Sequence, residues 1–402
     1  MSASLPQSAK LPLYILMMNL FIALLGQGMV IPILPEYLKQ FHAAGTEAGY
    51  LIAAFGAAQF LFSPIGGQLS DKWGRKKLII AGLFLTVISD FIFAVSNTLP
   101  LLYAARFIGG IALGLMVPSN MAYVVDVTTP DTRAKGMGYL GAAMNLGMVL
   151  GPGLGGLIAH FGIRAPYFVA SGLSLAATLL TFLLPESLPP ERRLARSHTH
   201  QREPFTRQMM NAIRTPYFRY LLLILVMTFG LVNYETVYAL FVEQKYEYDA
   251  SKISIIITVG ALIGIIVQVW LLDRFIRWLG ETKLIRLSLI MTGAALLLML
   301  IKVNLVYLLA VSALFFAFHA FLRPTVSTLI ANAAGDRQGY ASGLNTTFTS
   351  MGNILGPLVA GGLFDKHMNM PYILGAVILM GTLFLTGGGG SKPQKAGVAV
   401  HE

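Results

Sequence analysis

Twelve apolar runs divide the chain, at about 11–35, 48–70, 78–99, 101–125, 136–160, 165–185, 220–242, 253–272, 284–301, 305–329, 340–364 and 371–386. A run of this kind spans the roughly 30 Å of a bilayer's hydrocarbon as a helix, the last being short for the task. In lipid every backbone amide must find a partner without water, and the runs are too long for barrel strands, so helices are the only solution. The predicted fold class is therefore an all-α polytopic membrane protein. With 55% hydrophobic and 12% charged residues and a mean hydropathy of +0.68, a water-soluble fold has nowhere to hide its surface. Met1 to Lys10 is too short and polar to be a cleavable signal, so the first run is read as a retained span.

The chain repeats itself. Gly147-Met-Val-Leu-Gly151-Pro152-Gly-Leu-Gly155-Gly156 returns as Gly352-Asn-Ile-Leu-Gly356-Pro357-Leu-Val-Ala-Gly361-Gly362, roughly 205 residues later. Pro118 and Pro324, and Asp71 and Asp273, are separated by about the same period. Two pseudo-symmetric six-helix bundles around a central cavity follow, with 1–185 as the first, 186–219 as a cytoplasmic linker, 220–386 as the second and 387–402 as a flexible glycine-serine tail. Duplicated halves built from broken, glycine-rich helices imply a secondary transporter. Gly151-Pro152 and Gly356-Pro357 are expected to act as bends or as points of close contact between the bundles.

Basic residues are distributed asymmetrically. An even number of spans puts both termini on one side, together with Lys10, Lys72, Arg75, Lys76, Lys77, Arg133, Lys135, Arg274, Arg277, Lys283, Arg286, Arg337, Lys392 and Lys395. The linker adds Arg192, Arg193, Arg196, Arg202, Arg207, Arg214 and Arg219, while the opposite loops hold only Lys39, Arg164, Lys245, Lys252, Lys302 and Lys366. The positive-inside rule therefore predicts cytoplasmic termini, with the linker lying along anionic membrane lipids or serving as a solvated tether. The net charge of +11 does not imply a nucleic-acid partner, because the cations sit in short loops between apolar runs. With no cysteine there is neither a disulfide framework nor a thiolate metal site. No phosphate-cradling loop, His-Glu-x-x-His pair or G-x-S-x-G elbow is present, so no enzyme, metal or catalytic residue is predicted.

Ionisable residues inside apolar spans are costly and point to function. They are Asp90, Arg106, Glu235, His319 and Arg323. Glu235, with Tyr238 one turn on, is the main candidate for proton coupling: a carboxyl away from bulk water can hold a proton and release it when a cation arrives. Arg106 keeps its proton and is expected to line the pathway. Asp90 either pairs with Arg106 or faces the cavity as a second proton site. His319 is expected to be a packing residue, with proton carriage as the alternative. Gln59, Asn145, Asn345 and Asn353 either line the cavity or bridge helices. Arg323 precedes Pro324, where a helix break can offer carbonyls.

After the second run comes Gly67-Gln-Leu-Ser-Asp71-Lys72-Trp-Gly74-Arg75-Lys76-Lys77. Gly67 would permit close helix contact, and Asp71 and Arg75 could bond to neighbouring helix ends, with Asp126 and Arg133 as partners in a gating network. The plainer alternative is that the cations only fix topology.

This loop carries the pattern G-x-L-x-D-x-x-G-R-K and resembles that of the major facilitator superfamily. Leu102 to Gly110 is similar to the superfamily's fourth-span motif, and Gly147 to Gly156 to its fifth-span antiporter motif. Phe229 to Tyr238 and Gly339 to Asn353 resemble the NorA/Bmr multidrug exporters of Gram-positive bacteria, over nearly all twelve spans. The resemblance implies a monomeric, multi-pass exporter of the bacterial cell membrane, trading small amphipathic, often cationic drugs such as fluoroquinolones and dyes for protons. Its power source is the proton gradient, with no cofactor. It also implies that Glu235 couples the exchange and that Gln59, Asn145, Arg323, Asn345 and Asn353 line the cavity. One departure stands out: these exporters carry an acid three residues before the tenth-span arginine, where this chain has Ala320. A facilitator or flippase for sugars or lipids, and a membrane sensor that transports nothing, are the alternatives.

Overall fold

The computed structural model describes residues 7–188, 210–334 and 338–386. Most of the arginine-rich linker, Arg337 and the tail from 387 lie outside the described residues. The chain runs α1 (Gln7–Val30), α2 (Leu34–Lys39), α3 (Gly45–Trp73), α4 (Arg75–Val95), α5 (Leu99–Val127), α6 (Pro130–Ala159) and α7 (Ala165–Thr181). It continues with α8 (Phe218–Tyr246), α9 (Ala250–Ile266), a π turn (Val267–Leu271), α10 (Leu272–Leu279), α11 (Glu281–Leu298), α12 (Leu305–Ala334), α13 (Gln338–Lys366), α14 (Met370–Gly381) and a 3-10 turn (Thr382–Thr386). Each expected apolar run falls on one of these helices, with α9, the π turn and α10 together forming the eighth.

Eight spans are long and apolar enough to cross a membrane on their own. The other four have identifiable reasons for falling short. The helix α7 and the segment Met370–Thr386 are brief; α11 opens with Glu281, Lys283 and Arg286; and α13 carries Asn345, Thr346, Thr347, Thr349, Ser350 and Asn353 in its first half.

Helix ends follow local chemistry. Pro32 stops α1, since the residue before a proline disfavours helical geometry. The short α2, unforeseen in the sequence, then starts with Pro35 in its first turn. Gly74 (φ 107°) separates α3 from α4 and Gly280 (φ 76°) separates α10 from α11. Both occupy conformations that other residues resist, and they stand at equivalent points of the two repeats.

The expected helix breaks are absent. Pro118, Pro152, Pro324 and Pro357 all sit inside continuous helices, because packed neighbours can compensate the missing backbone bond. Among the described residues, regular winding gives way to a π turn in the eighth span and to a 3-10 turn at the end of the twelfth.

The repeats pack alike: α6 lies along α1 in the first bundle, and α13 along α8 in the second. A Cβ on Gly147 or Gly155 would collide with the carbonyls of Phe21 or Met29 on α1. Gly352 similarly faces Leu225 and Thr228 of α8. Gly151 and Gly356 belong to these faces, against Gly28 and Phe229, so these two glycines pack within bundles, while Pro357 beside Gly356 meets Gly49 of the other bundle. The bundles meet along α3 with α13 and along α6 with α9.

Candidate functional site

The end of the molecule where the linker leaves and returns carries the first cluster of charges. Arg75 is buried there, its Nη2 2.6 Å from Asp71 and its Nε 3.1 Å from Asp126. Its backbone amide donates to Glu186 (2.8 Å), and Ser187 donates to Asp126 (3.1 Å). Tyr123 donates to the Pro185 carbonyl (2.7 Å). The network ties α3, α4 and α5 to the chain after α7, so as it stands it joins parts of one bundle. Arg133 is exposed outside it. Gly67 has open space where a Cβ would be; the close contact expected of it is made by Gly66, against Gly114 of α5. Among the described residues Asp273, the repeat partner of Asp71, forms no ion pair.

Between the two bundles, α6, α8, α9, the π turn and α12, with Ile31 just after α1, line a cavity of about 220 Å³. Glu235, Asn145, Pro152, Gln268, His319 and Ala320 reach its wall, with Tyr234, Tyr238 and Phe316. Glu235 is the only carboxylate among these lining residues. The ion pairs among the described residues, Lys39–Glu243 (2.7 Å), Asp71–Arg75 and Arg75–Asp126, lie near helix ends, and none involves Glu235. The acid is thus free to answer a mobile cation or proton.

Aromatic rings fix the helix that carries it. Tyr234 packs on Phe315 (centroids 4.3 Å apart) and Tyr238 (4.6 Å), and the Tyr238 and Ser312 hydroxyls share a 2.9 Å hydrogen bond. Asn233 donates to the Pro371 carbonyl (2.8 Å), which anchors the opposite face of α8. His319 donates from Nε2 to the Met227 carbonyl (3.1 Å) and stacks on Phe315, as a packing histidine does, though its side also borders the cavity.

A second cavity, of about 2010 Å³, separates α3 and α5 from α12 and α13 and extends to the linker end. Gln59, Phe60, Gly67, Arg323, Asn345 and Asn353 line it, and Arg214 and Tyr217 stand at its mouth. Asn345 donates to Ser327 (3.2 Å). The expected cavity residues are therefore divided, with Asn145, Glu235 and Tyr238 in the smaller chamber. Arg323 and His319, one turn apart on α12, face one chamber each.

Arg106 and Asp90 line neither. Arg106 is buried inside the first bundle with its guanidinium over the Phe93 ring (4.9 Å). Its Nε and Asp90 Oδ2 are both buried without a hydrogen-bond partner, and the two side chains form no ion pair. Phe93, the ring beneath Arg106, packs in turn against Tyr37 and Tyr167.

At the end opposite the linker the bundles are closed against each other. Asp365 of α13 accepts from the backbone amides of Gly45 and Thr46 (both 2.8 Å) at the start of α3. A Cβ on Gly49 would collide with the Pro357 carbonyl, and one on Gly361 with the Gly45 carbonyl. Along the other seam Gly156 faces Ser254, Gly153 faces Thr258, and His160 Nε2 and Ser251 Oγ are 2.7 Å apart. Lys39 crosses to Glu243.

The chain matches the Major Facilitator Superfamily profile over residues 16–279 and 269–397. The chain belongs to the major facilitator superfamily. As a superfamily member it is 39% identical to Multidrug resistance protein 1 of Bacillus subtilis (strain 168), over 94% of this chain and 96% of that one. It is 37% identical to the Quinolone resistance protein NorA of Staphylococcus aureus (strain MRSA252), over 93% of this chain and 95% of that one. The crystal structure of nucleoside transporter NupG superimposes with a TM-score of 0.76, at 14% identity, over 94% of this chain and all of that one; at that identity it speaks for the fold alone. Membership agrees with the expectation of a multi-pass membrane transporter and not an enzyme.

Several features of this superfamily member escaped the sequence. Gln268 is an amide in an apolar run, like those that were singled out, and the same rule would have found it. Asp365, Lys39 and Glu243 sit in short loops or at helix ends, where nothing local marks them as partners across the bundle interface.

Proposed function

We propose that this chain is a proton-coupled multidrug exporter of a bacterial cell membrane, working by alternating access. The observation that carries the proposal is the placement of Glu235, the one carboxylate of a mid-membrane chamber built from both bundles. A protonated Glu235 is neutral and tolerates the closed chamber; a cationic drug arriving there stabilises the carboxylate and displaces its proton. One acid thus cannot hold both cargoes at once, and that exclusion makes the exchange obligatory.

The names of its relatives, a multidrug resistance protein and a quinolone resistance protein, support drugs as cargo. The distribution of basic residues puts the linker, with both termini, in the cytoplasm. On that orientation the large cavity opens inwards and the closed seams are the outer gate, so this is an inward-facing, loading state. Gln59, Asn145, Tyr238, Arg323, Asn345 and Asn353 serve the substrate pathway, and Arg106 holds the first bundle together from within. Asp90, beside it, lines neither cavity, and Glu235 alone carries the coupling. Asp71, Arg75 and Asp126 keep that bundle rigid, so that residues 1–185 and 220–386 move as two bodies about the linker 186–219. The protein acts as a monomer among lipids, powered by the proton gradient without a cofactor.

Reconstituted vesicles with an acidic lumen test this. The expected result is accumulation of a cationic dye, abolished when the pH difference is collapsed; accumulation that ignores the collapse overturns proton coupling.

A further inference from the structure

The two seams that close the end opposite the linker use equivalent elements of the two repeats but are held differently. At one, the end of α6 meets the start of α9; at the other, the end of α13 meets the start of α3. A helix leaves its first amides without partners of its own. The helix α9 meets that need itself, because its N-cap is Asp249, whose side chain accepts from the Lys252 amide (3.0 Å). The helix α3 cannot. Its N-cap is Ala44, whose methyl group accepts nothing. Glu47 accepts from the Ala44 amide (3.3 Å), which is only one half of a capping box.

The missing acceptor comes from the other bundle. Asp365, near the end of α13, takes the Gly45 amide on one carboxylate oxygen and the Thr46 amide on the other, both at 2.8 Å. Its charge also meets the positive end of the α3 dipole. Asp365 forms no ion pair among the described residues, so no cation competes for it. The approach depends on backbones that touch: a Cβ on Gly361 would meet the Gly45 carbonyl, and one on Gly45 would meet the Phe364 and Asp365 side chains.

We propose that Asp365 is a latch that caps α3 in trans: this helix has its N-terminal acceptor only while the seam is shut, which biases the resting protein towards the state closed at this end. Parting of the bundles exchanges both bonds for water and leaves α3 uncapped, whereas α9 keeps Asp249 in either state. The loss of one cap shifts such an equilibrium by about three- to tenfold. The latch presupposes the rocking motion of the exporter reading, but neither its protons nor its cargo.

The test is double electron–electron resonance on the full chain in nanodiscs, with spin labels on cysteines at Glu36 and Val303, exposed at that end of the first and second bundles. No native cysteine interferes. Asp365→Ala should raise the ratio of long to short distances about three- to tenfold over wild type, and Asp365→Asn, which keeps one acceptor oxygen, should raise it less. Ala44→Ser gives α3 a neutral cap of its own and completes the box with Glu47. It should raise the ratio in the otherwise wild-type protein and leave it unchanged when added to Asp365→Ala, since a cap in cis favours neither state once the latch is gone. If wild type shows the short distance alone, the long one should come into view in Asp365→Ala. A wild type dominated by the long distance, a ratio in Asp365→Ala within about twofold of wild type, or an Ala44→Ser effect that persists in Asp365→Ala each overturn the inference. Should Asp365→Ala fail to fold, Ala44→Ser in the otherwise wild-type protein decides. These distances need no gradient and no substrate, while the exporter reading is judged by gradient-driven uptake of a cationic dye, so either can fall without the other.

Discussion

Residues of one chemical type do different work here because of what surrounds them. Arg75 is buried among Asp71, Asp126 and Glu186, Arg106 lies over an aromatic ring, and Arg323 faces an open cavity. Removing Arg75 takes its countercharge from Asp126, whose side chain is only 10% exposed. Arg75→Ala should therefore destabilise the protein by about 2–4 kcal/mol, read as a lowered melting temperature in detergent; a loss of transport with unchanged melting would instead assign Arg75 to the transport cycle itself. Gln268 makes a contrasting case, since it lines the Glu235 chamber from an irregular turn. Gln268→Leu should leave the melting temperature within about a degree, as it removes no buried bond, while altering the relative rates at which different dyes are exported. An unaltered dye profile would show Gln268 to be a bystander.

Helices show why small residues recur at fixed spacing. The repeated glycines of α6 serve two faces: Gly147, Gly151 and Gly155 admit α1, whereas Gly153 and Gly156 meet α9 of the other bundle. The first face holds a bundle together, and the second is the surface that parts in the proposed cycle. Gly155→Leu should accordingly lower stability and yield of folded protein, because its Cβ alone collides with backbone. Gly49→Leu, at the seam with Pro357, should leave the bundles folded but hold that seam ajar and, on the proposed orientation, raise labelling of a nearby cysteine from outside the cell. Equal loss of folded protein in both variants would contradict the division into two faces. The extents of these helices were plain in the sequence, since hydrophobic length and Gly or Pro punctuation are local properties. The continuity of α6, α12 and α13 through their prolines was not, because it depends on neighbours supplying what each proline removes.

At the scale of the molecule, two bundles touch at one end and stand apart at the other. The duplication and the number of spans could be read from the chain, as they follow from repetition and hydrophobic length, and Glu235 could be singled out by the cost of a charge in lipid. The partition of the polar residues into two chambers could not. It is fixed by which helices become neighbours across the pseudo-twofold axis, which is why Asn145 falls with Glu235 while Asn345 and Asn353 fall with Arg323. The absence of native cysteine allows the rocking motion to be tested cleanly. Cysteines placed at Gly153 and Thr258, whose Cβ atoms would lie 3.7 Å apart across the closed seam, should form a disulfide that arrests transport until it is reduced. Undiminished transport by the fully cross-linked protein would mean that this gate never opens.

The coupling role of Glu235 is tested most directly by following lumenal pH in vesicles loaded with substrate. In wild type, substrate leaving down its gradient should draw protons in and acidify the lumen. In Glu235→Gln, substrate should still leave down its gradient with no acidification, and an acidic lumen should no longer drive accumulation. Proton movement in Glu235→Gln equal to that of wild type would contradict the account.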